Sequence, residues 1–169
     1  MSCLKSISWL LIVAACSVML TGCGFRPLHS KNSGALAASL AKIRIEPIAD
    51  RIGQQLHNLL LDKITPKGPP AVPRYVLKIK LNESLQNLAI RKDDVATRAN
   101  LVLRVSFTLV RADDNSVLMS NSAISANSYN ILREEFATLS AENDARARAV
   151  REVSDVIRIR VAIYLSRVK

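Results

Sequence analysis

From residue 74 onward the chain alternates. In "RYVLKIKLNESL", Tyr75, Leu77, Ile79 and Leu81 fall on one side of an extended backbone, and Val76, Lys78, Lys80 and Asn82 on the other. Successive side chains of a strand point to opposite faces, so this pattern predicts a strand with one buried and one wet face. "TRANLVLRVSFTLVR" repeats it, with Leu101, Leu103, Val105, Phe107 and Leu109 against Arg98, Asn100, Val102, Arg104, Ser106 and Thr108. Between the two lies "QNLAIRKDDVA", a polar connection or the frayed ends of both strands. After the turn "ADDN", whose Asp and Asn tolerate unusual dihedrals, "SVLMSNSAISANSYN" returns as a third, more polar strand. "KIRIEPI" alternates over a shorter span, which predicts a strand at 42–47 that stops at Pro47, a residue with no backbone donor.

Two segments change period. Ile52, Leu56, Leu59, Leu60 and Ile64 recur at helical spacing behind Asp50, which has the chemistry of an N-cap, so a helix is expected over 50–64. "TPKGPPAVPR" ends it with a rigid, proline-rich loop. Ala145, Ala149, Val150, Val153, Val156, Ile157, Val161, Tyr164, Leu165 and Val168 form a broad stripe, and Ser140 is a candidate N-cap for a helix over 140–167. Glu142 and Asp144 near its start and Arg167 and Lys169 at its end suit the helix dipole. A weak helical-turn signal also lies near 35–41. The element order is β-α-β-β-β-α. This predicts an α+β fold, a four-stranded and mostly antiparallel sheet. Two helices with one apolar stripe each cover one face and leave the other free.

Composition adds charge to that picture. The 169 residues hold 24 Lys and Arg against 14 Asp and Glu, a formal net charge of +10. Such a surface attracts anions: nucleic acid, phospholipid, lipopolysaccharide or an acidic protein. The N-terminus chooses among them. Lys5 precedes an apolar run from Ile7 to Leu20, broken by Ser8 and Ser17. That is short for a membrane span of ~20 residues and fits a secretory signal. Leu20-Thr21-Gly22-Cys23 then resembles the bacterial lipobox. The resemblance implies removal of residues 1–22, thioether-linked diacylglycerol on Cys23, and a further acyl chain on the new N-terminus. Burial of acyl chains is worth ~0.8 kcal/mol per methylene, so the anchor is firm. Gly24 stands where such lipoproteins carry Asp as an inner-membrane retention signal, which favours the outer membrane. Cys3 and Cys16 leave with the signal, so neither a disulfide nor a thiolate cluster is expected. Residues 23–41 read as a tether and 42–169 as a single domain. In the envelope, nucleic acid is a poor partner for this basic chain.

Parity places Lys78, Lys80, Arg98 and Arg104 on the uncovered face, with Arg91 and Lys92 in the connection. Arginine offers phosphate a planar fork and lysine a mobile point charge. The group suits a phosphorylated amphiphile or a polar protein lining; a merely solvated face is the bland alternative. Catalysis finds little support. His29 lies in the tether and His57 beside the first helical stripe, and no Ser has His and Asp partners in a persuasive arrangement. Asp93-Asp94 and Glu134-Glu135 lack metal-ligand spacing, and there is no glycine-rich phosphate loop. No enzyme, metal or cofactor is expected beyond the covalent lipid on Cys23.

"LTGCGFRPL", the β-α-β-β-β-α order and the strands flanking "AIRKDDVATRANL" together resemble the LptE family of outer-membrane lipoproteins. The resemblance implies a non-enzymatic plug in the β-barrel LptD, which helps assemble that barrel and binds lipopolysaccharide on its way to the outer leaflet. It also implies that the basic position between the central strands, here Arg91 with Lys92 beside it, contacts lipopolysaccharide. A second basic position before the last helix has no match in "LSAEND"; Arg133 lies nearby. An accessory lipoprotein of another envelope or transporter complex, binding protein only, is the alternative. A periplasmic hydrolase is disfavoured by the missing catalytic constellation.

Overall fold

The structure is a computed structural model that describes residues 33–90 and 96–168. Cys23, Arg91, Lys92, His29 and the Asp93-Asp94 pair lie outside the described residues. The elements run α1 (Ser33–Leu40), β1 (Ile43–Ile45), α2 (Arg51–Ile64), β2 (Tyr75–Ile90), β3 (Ala96–Arg111), β4 (Val117–Asn130) and α3 (Glu135–Arg167). The strands form one sheet in the order β1-β2-β3-β4. β1 pairs with β2 in parallel; β2 with β3 and β3 with β4 are antiparallel. This is the expected α+β architecture, with an additional short helix at its start.

The expected alternation holds. Leu77 and Ile79 of β2, and Leu101, Leu103, Val105, Phe107 and Leu109 of β3, all point into the core. They meet Leu56, Leu60 and Ile64 of α2, and Ala149, Val150, Val153, Ile157 and Val161 of α3. Burying each such large side chain is worth about 1.5–3 kcal/mol, so this face holds the domain together. Residues 33–40 form a helix because Leu36 and Leu40 find the same core, which a weak local pattern alone does not reveal.

The helix starts differ from the sequence reading. α3 begins at Glu135, so Ser140 lies inside the helix rather than at its cap. Thr138 moves the start: its hydroxyl accepts the Leu132 N–H at 2.9 Å and lies 3.1 Å from the Leu132 carbonyl, tying the loop to the first turn. Asp50 does occupy the N-cap of α2, but its side chain makes no capping bond. Its backbone stands at φ 69, a region that favours glycine, and its carbonyl accepts the Gln54 N–H at 3.0 Å. At the far end of the stripe, Val168 is exposed, because α3 has ended at Arg167.

Lateral ties fix the helices. Lys63 of α2 donates to Ser154 Oγ at 2.8 Å and to Asp155 at 2.6 Å on α3. Arg146 of α3 reaches Glu83 of β2 at 2.8 Å and Glu142 at 2.6 Å. Its hydrogen bonds to the Glu83 carboxylate and, after it, the Glu142 carboxylate hold the Arg146 guanidinium well above its ordinary pKa, against the opposing effect of burial. Among the described residues no helix is long and apolar enough to cross a membrane.

Candidate functional site

Both long helices pack on the side of the sheet that carries Leu77 and Phe107, and among the described residues no helix covers the opposite face. The register builds that face row by row. Lys78 pairs with Thr108 and Thr108 with Ser120; Lys80 pairs with Ser106 and Ser106 with Ser122. Asn82 pairs with Arg104, and Arg104 with Ile124. Two residues along a strand span about 6.8 Å, so Lys78, Lys80 and Arg104 share one patch.

A shallow depression of about 310 Å³ lies in this patch, lined by Lys80, Asn82, Arg104, Ser106, Ser122 and Ile124 among others. Its chemistry is mixed: two cations, two hydroxyls, an amide and an apolar side chain that is 63% exposed. An exposed isoleucine beside an arginine is a place for an amphiphile, with polar and apolar parts side by side. Sequence reading missed Ile124. Its parity in β4 was the available signal, because Ala123 and Ser125, on either side of it, are both buried.

The predicted cations do not act as one group. Lys80 and Arg104 line the depression together. Lys78 is adjacent but lies 3.8 Å from Glu46, an exposed pair worth about 0–1 kcal/mol that partly offsets its charge. Arg98 pairs with Asn130, six residues along β3 from Arg104, or about 20 Å. It therefore belongs to the far end of the sheet. The face is not uniformly polar either. Val76, Val102 and Val110 are buried on it, with Val76 between Arg44 and Val110, and Val102 between Ser84 and Ala126.

A roomier groove, about 510 Å³, lies on the other side, between the start of α2 and the first half of α3. Glu83 and Arg146 line it, and they satisfy each other, which makes it a structural joint. His57 is half-buried on α2, with a buried Nδ1 that finds no hydrogen-bond partner among the described residues. Glu134 and Glu135 are exposed at the start of α3. Among the described residues no cluster of His, Cys, Asp or Glu has the geometry to hold a metal ion.

The fold recurs in solved lipoprotein structures. A lipoprotein candidate from Caulobacter crescentus CB15 is similar, with TM-score 0.66 and 24% identity, covering 80% of this chain and 98% of that one. A minor lipoprotein from Acinetobacter baumannii matches with TM-score 0.56 and 18% identity, over 72% and 91% of the two chains. The rare lipoprotein B from Shewanella oneidensis matches with TM-score 0.58 and 10% identity, over 75% and 98%. These identities speak for the fold alone. The family follows from sequence: the model of LptE, lipopolysaccharide-assembly, matches residues 40–161, and the chain belongs to that family. No curated protein sequence matches it.

Proposed function

We propose that this protein is an outer-membrane lipoprotein, anchored through acyl chains on Cys23, that sits in the lumen of an LptD-type β-barrel. There it helps the barrel assemble and holds lipopolysaccharide during its passage. One observation carries the reading: the match to a lipopolysaccharide-assembly family spans 40–161, and that same span folds into a domain with Lys78, Lys80 and Arg104 exposed on one sheet face. A barrel lumen is polar, so a plug needs its own core and a hydrophilic outside. This domain buries its apolar stripe against its own helices and turns lysine, arginine, serine and asparagine outward.

Lipid A phosphates are anionic. Lys80 and Arg104 supply a point charge and a planar fork to such a group, and Ser106 and Ser122 supply hydroxyls. Ile124 offers contact to an apolar portion of the same molecule. Lys78 and Arg98 extend the positive field along the sheet, and Arg91 and Lys92, which fall between β2 and β3 in the sequence, are further candidate contacts. The role is binding and assembly, as in the family, with no reaction assigned.

Two measurements test this. The lipidated full-length protein, extracted in detergent, should bring down an LptD-type barrel; its absence from the eluate overturns the partnership. Lys80→Glu combined with Arg104→Glu should lower lipopolysaccharide retention at least about tenfold, since hydrogen bonds to charged groups are worth about 1.5–3 kcal/mol. Both side chains are exposed, so the melting temperature should stay put. Unchanged retention would remove this patch from the binding site.

A further inference from the structure

β4 closes one side of the sheet with 14 residues, "VLMSNSAISANSYN", that contain no charge, no proline and no glycine. An exposed edge offers a row of backbone donors and acceptors to any passing strand. Natural edges are therefore kept short, or carry lysine, proline or a bulge. The opposite edge obeys this rule: β1 has 3 residues, with Arg44 at its centre and Pro47 just beyond.

The β4 edge is guarded from outside the strand. The Ile131 N–H bonds to the Thr97 carbonyl at 3.0 Å, which marks the odd-numbered residues of this stretch as those facing β3. The even-numbered ones turn their backbone outward. At Ser122 the carbonyl accepts from Arg160 of α3, which also donates to Asn121 Oδ1, and the Ser122 N–H donates to that same Oδ1 at 2.9 Å. At Ser128 the carbonyl lies 3.5 Å from an Arg148 nitrogen, while Arg148 Nε donates to Asn127 at 3.2 Å. Among the described residues, the outward backbone groups of Ile124, Ala126 and Asn130 have no protein partner, and neither Arg148 nor Arg160 forms an ion pair. Glu152 lies between the two arginines in sequence and accepts from Ser125 at 2.5 Å and Asn127 at 3.2 Å.

We infer that the β4 edge from Ile124 to Asn130 is a docking site for an extended, acidic segment of the protein partner, which joins the sheet as a fifth strand. The inference rests on the barrel-partner reading above and names the surface that partner uses. In the free protein Arg148 and Arg160 occupy edge carbonyls and discourage indiscriminate pairing. When the segment arrives, they exchange those carbonyls for carboxylates, a stronger, charge-assisted interaction. Strand addition supplies affinity through the main chain, and the arginines and exposed Ile124 supply selectivity. A second copy of this chain is a poor occupant. It would bring its own strongly positive net charge and its own two arginines to the same edge.

Hydrogen exchange on the full-length protein, alone and bound to the copurified barrel, tests the inference. The amides of Ile124, Ala126 and Ser128 should slow at least about tenfold in the complex, the slowing expected when pairing leaves them open to solvent no more than about a tenth of the time. Those of Ser125 and Asn127, already bonded to β3, should stay protected in both states. Ala126→Pro deletes an outward N–H and spares the β3 ladder, so it should weaken barrel binding about tenfold. Continued protection at Ser125 and Asn127 in the variant shows that it is folded; if it is not, the wild-type exchange result decides alone. Arg148→Glu with Arg160→Glu should weaken binding as much. A barrel that copurifies while the three outward amides exchange at their free rate overturns the inference and leaves the partnership standing. Failure of the barrel to copurify overturns both. Unweakened binding by the double arginine variant overturns the acidic character of the segment.

Discussion

Gly53 sits inside α2, where glycine ordinarily costs a helix about 1 kcal/mol relative to alanine. Here the missing side chain is the point. A Cβ built on Gly53 would lie 2.7 Å from Ile48 Cγ2 and 3.2 Å from the Ile48 backbone carbonyl carbon. Ile48 is itself buried, so the bend after β1 can close only over a bare backbone. Gly53→Ala should destabilise the protein by about 1–3 kcal/mol, as overpacking does, despite its better helix propensity. Urea unfolding monitored by circular dichroism measures this; a stabilised variant would mean that Ile48 moves freely.

Tyr129 gives a second result at this scale. Burial raises its phenol above the ordinary 10.0, and the negative charge of Glu142 beside it pushes the same way. Its hydroxyl lies 3.4 Å from Glu142 Oε2. The folded protein thus holds this proton to a higher pH than the unfolded chain does. A raised folded value gives a contribution that is intact below the unfolded value and lost as pH rises through the folded one. Tyr129→Phe should therefore flatten the alkaline decline in stability above about pH 10. Unfolding midpoints of the two proteins across that range check it, and parallel curves would count against it.

At the scale of elements, α3 is 33 residues long, or about 50 Å, and is attached to the sheet by more than its apolar stripe. The helical stripe was legible from Ala145 to Leu165 because its period is local. Its start was not: Ser140 has the right chemistry for a cap, but Thr138 reaches back to Leu132 and begins the helix at Glu135. Glu83 was hidden for a related reason. Strand parity puts it on the core face, where a carboxylate looks wrong until Arg146 arrives from 63 residues away. Arg146→Ala leaves Glu83 and Glu142, each only about a fifth exposed, without their cation. It should cost about 2 kcal/mol, within the range for leaving buried partners unsatisfied. Thermal unfolding of Arg146→Ala against Arg146→Lys checks this, with the lysine variant recovering part of the loss. Equal stability of all three would reduce the cluster to ornament.

For the whole molecule, the sequence by itself determined the strands, the two long helices, their order and the parity of β2 and β3. The reason is that periods of two and of 3.6 residues are written locally, one residue after the next. It also determined the charge and the family, which follow from composition and from the match over 40–161. Only the tertiary structure decided which cations meet. Register brings Lys80 and Arg104 to one depression and draws Lys78 toward Glu46. Register depends on pairing between residues distant in the chain, so no local pattern encodes it. The same holds for the β4 edge. "SVLMSNSAISANSYN" reads as a polar strand of no particular interest, and becomes a guarded edge only when packing lays Arg148 and Arg160 of α3 across its carbonyls.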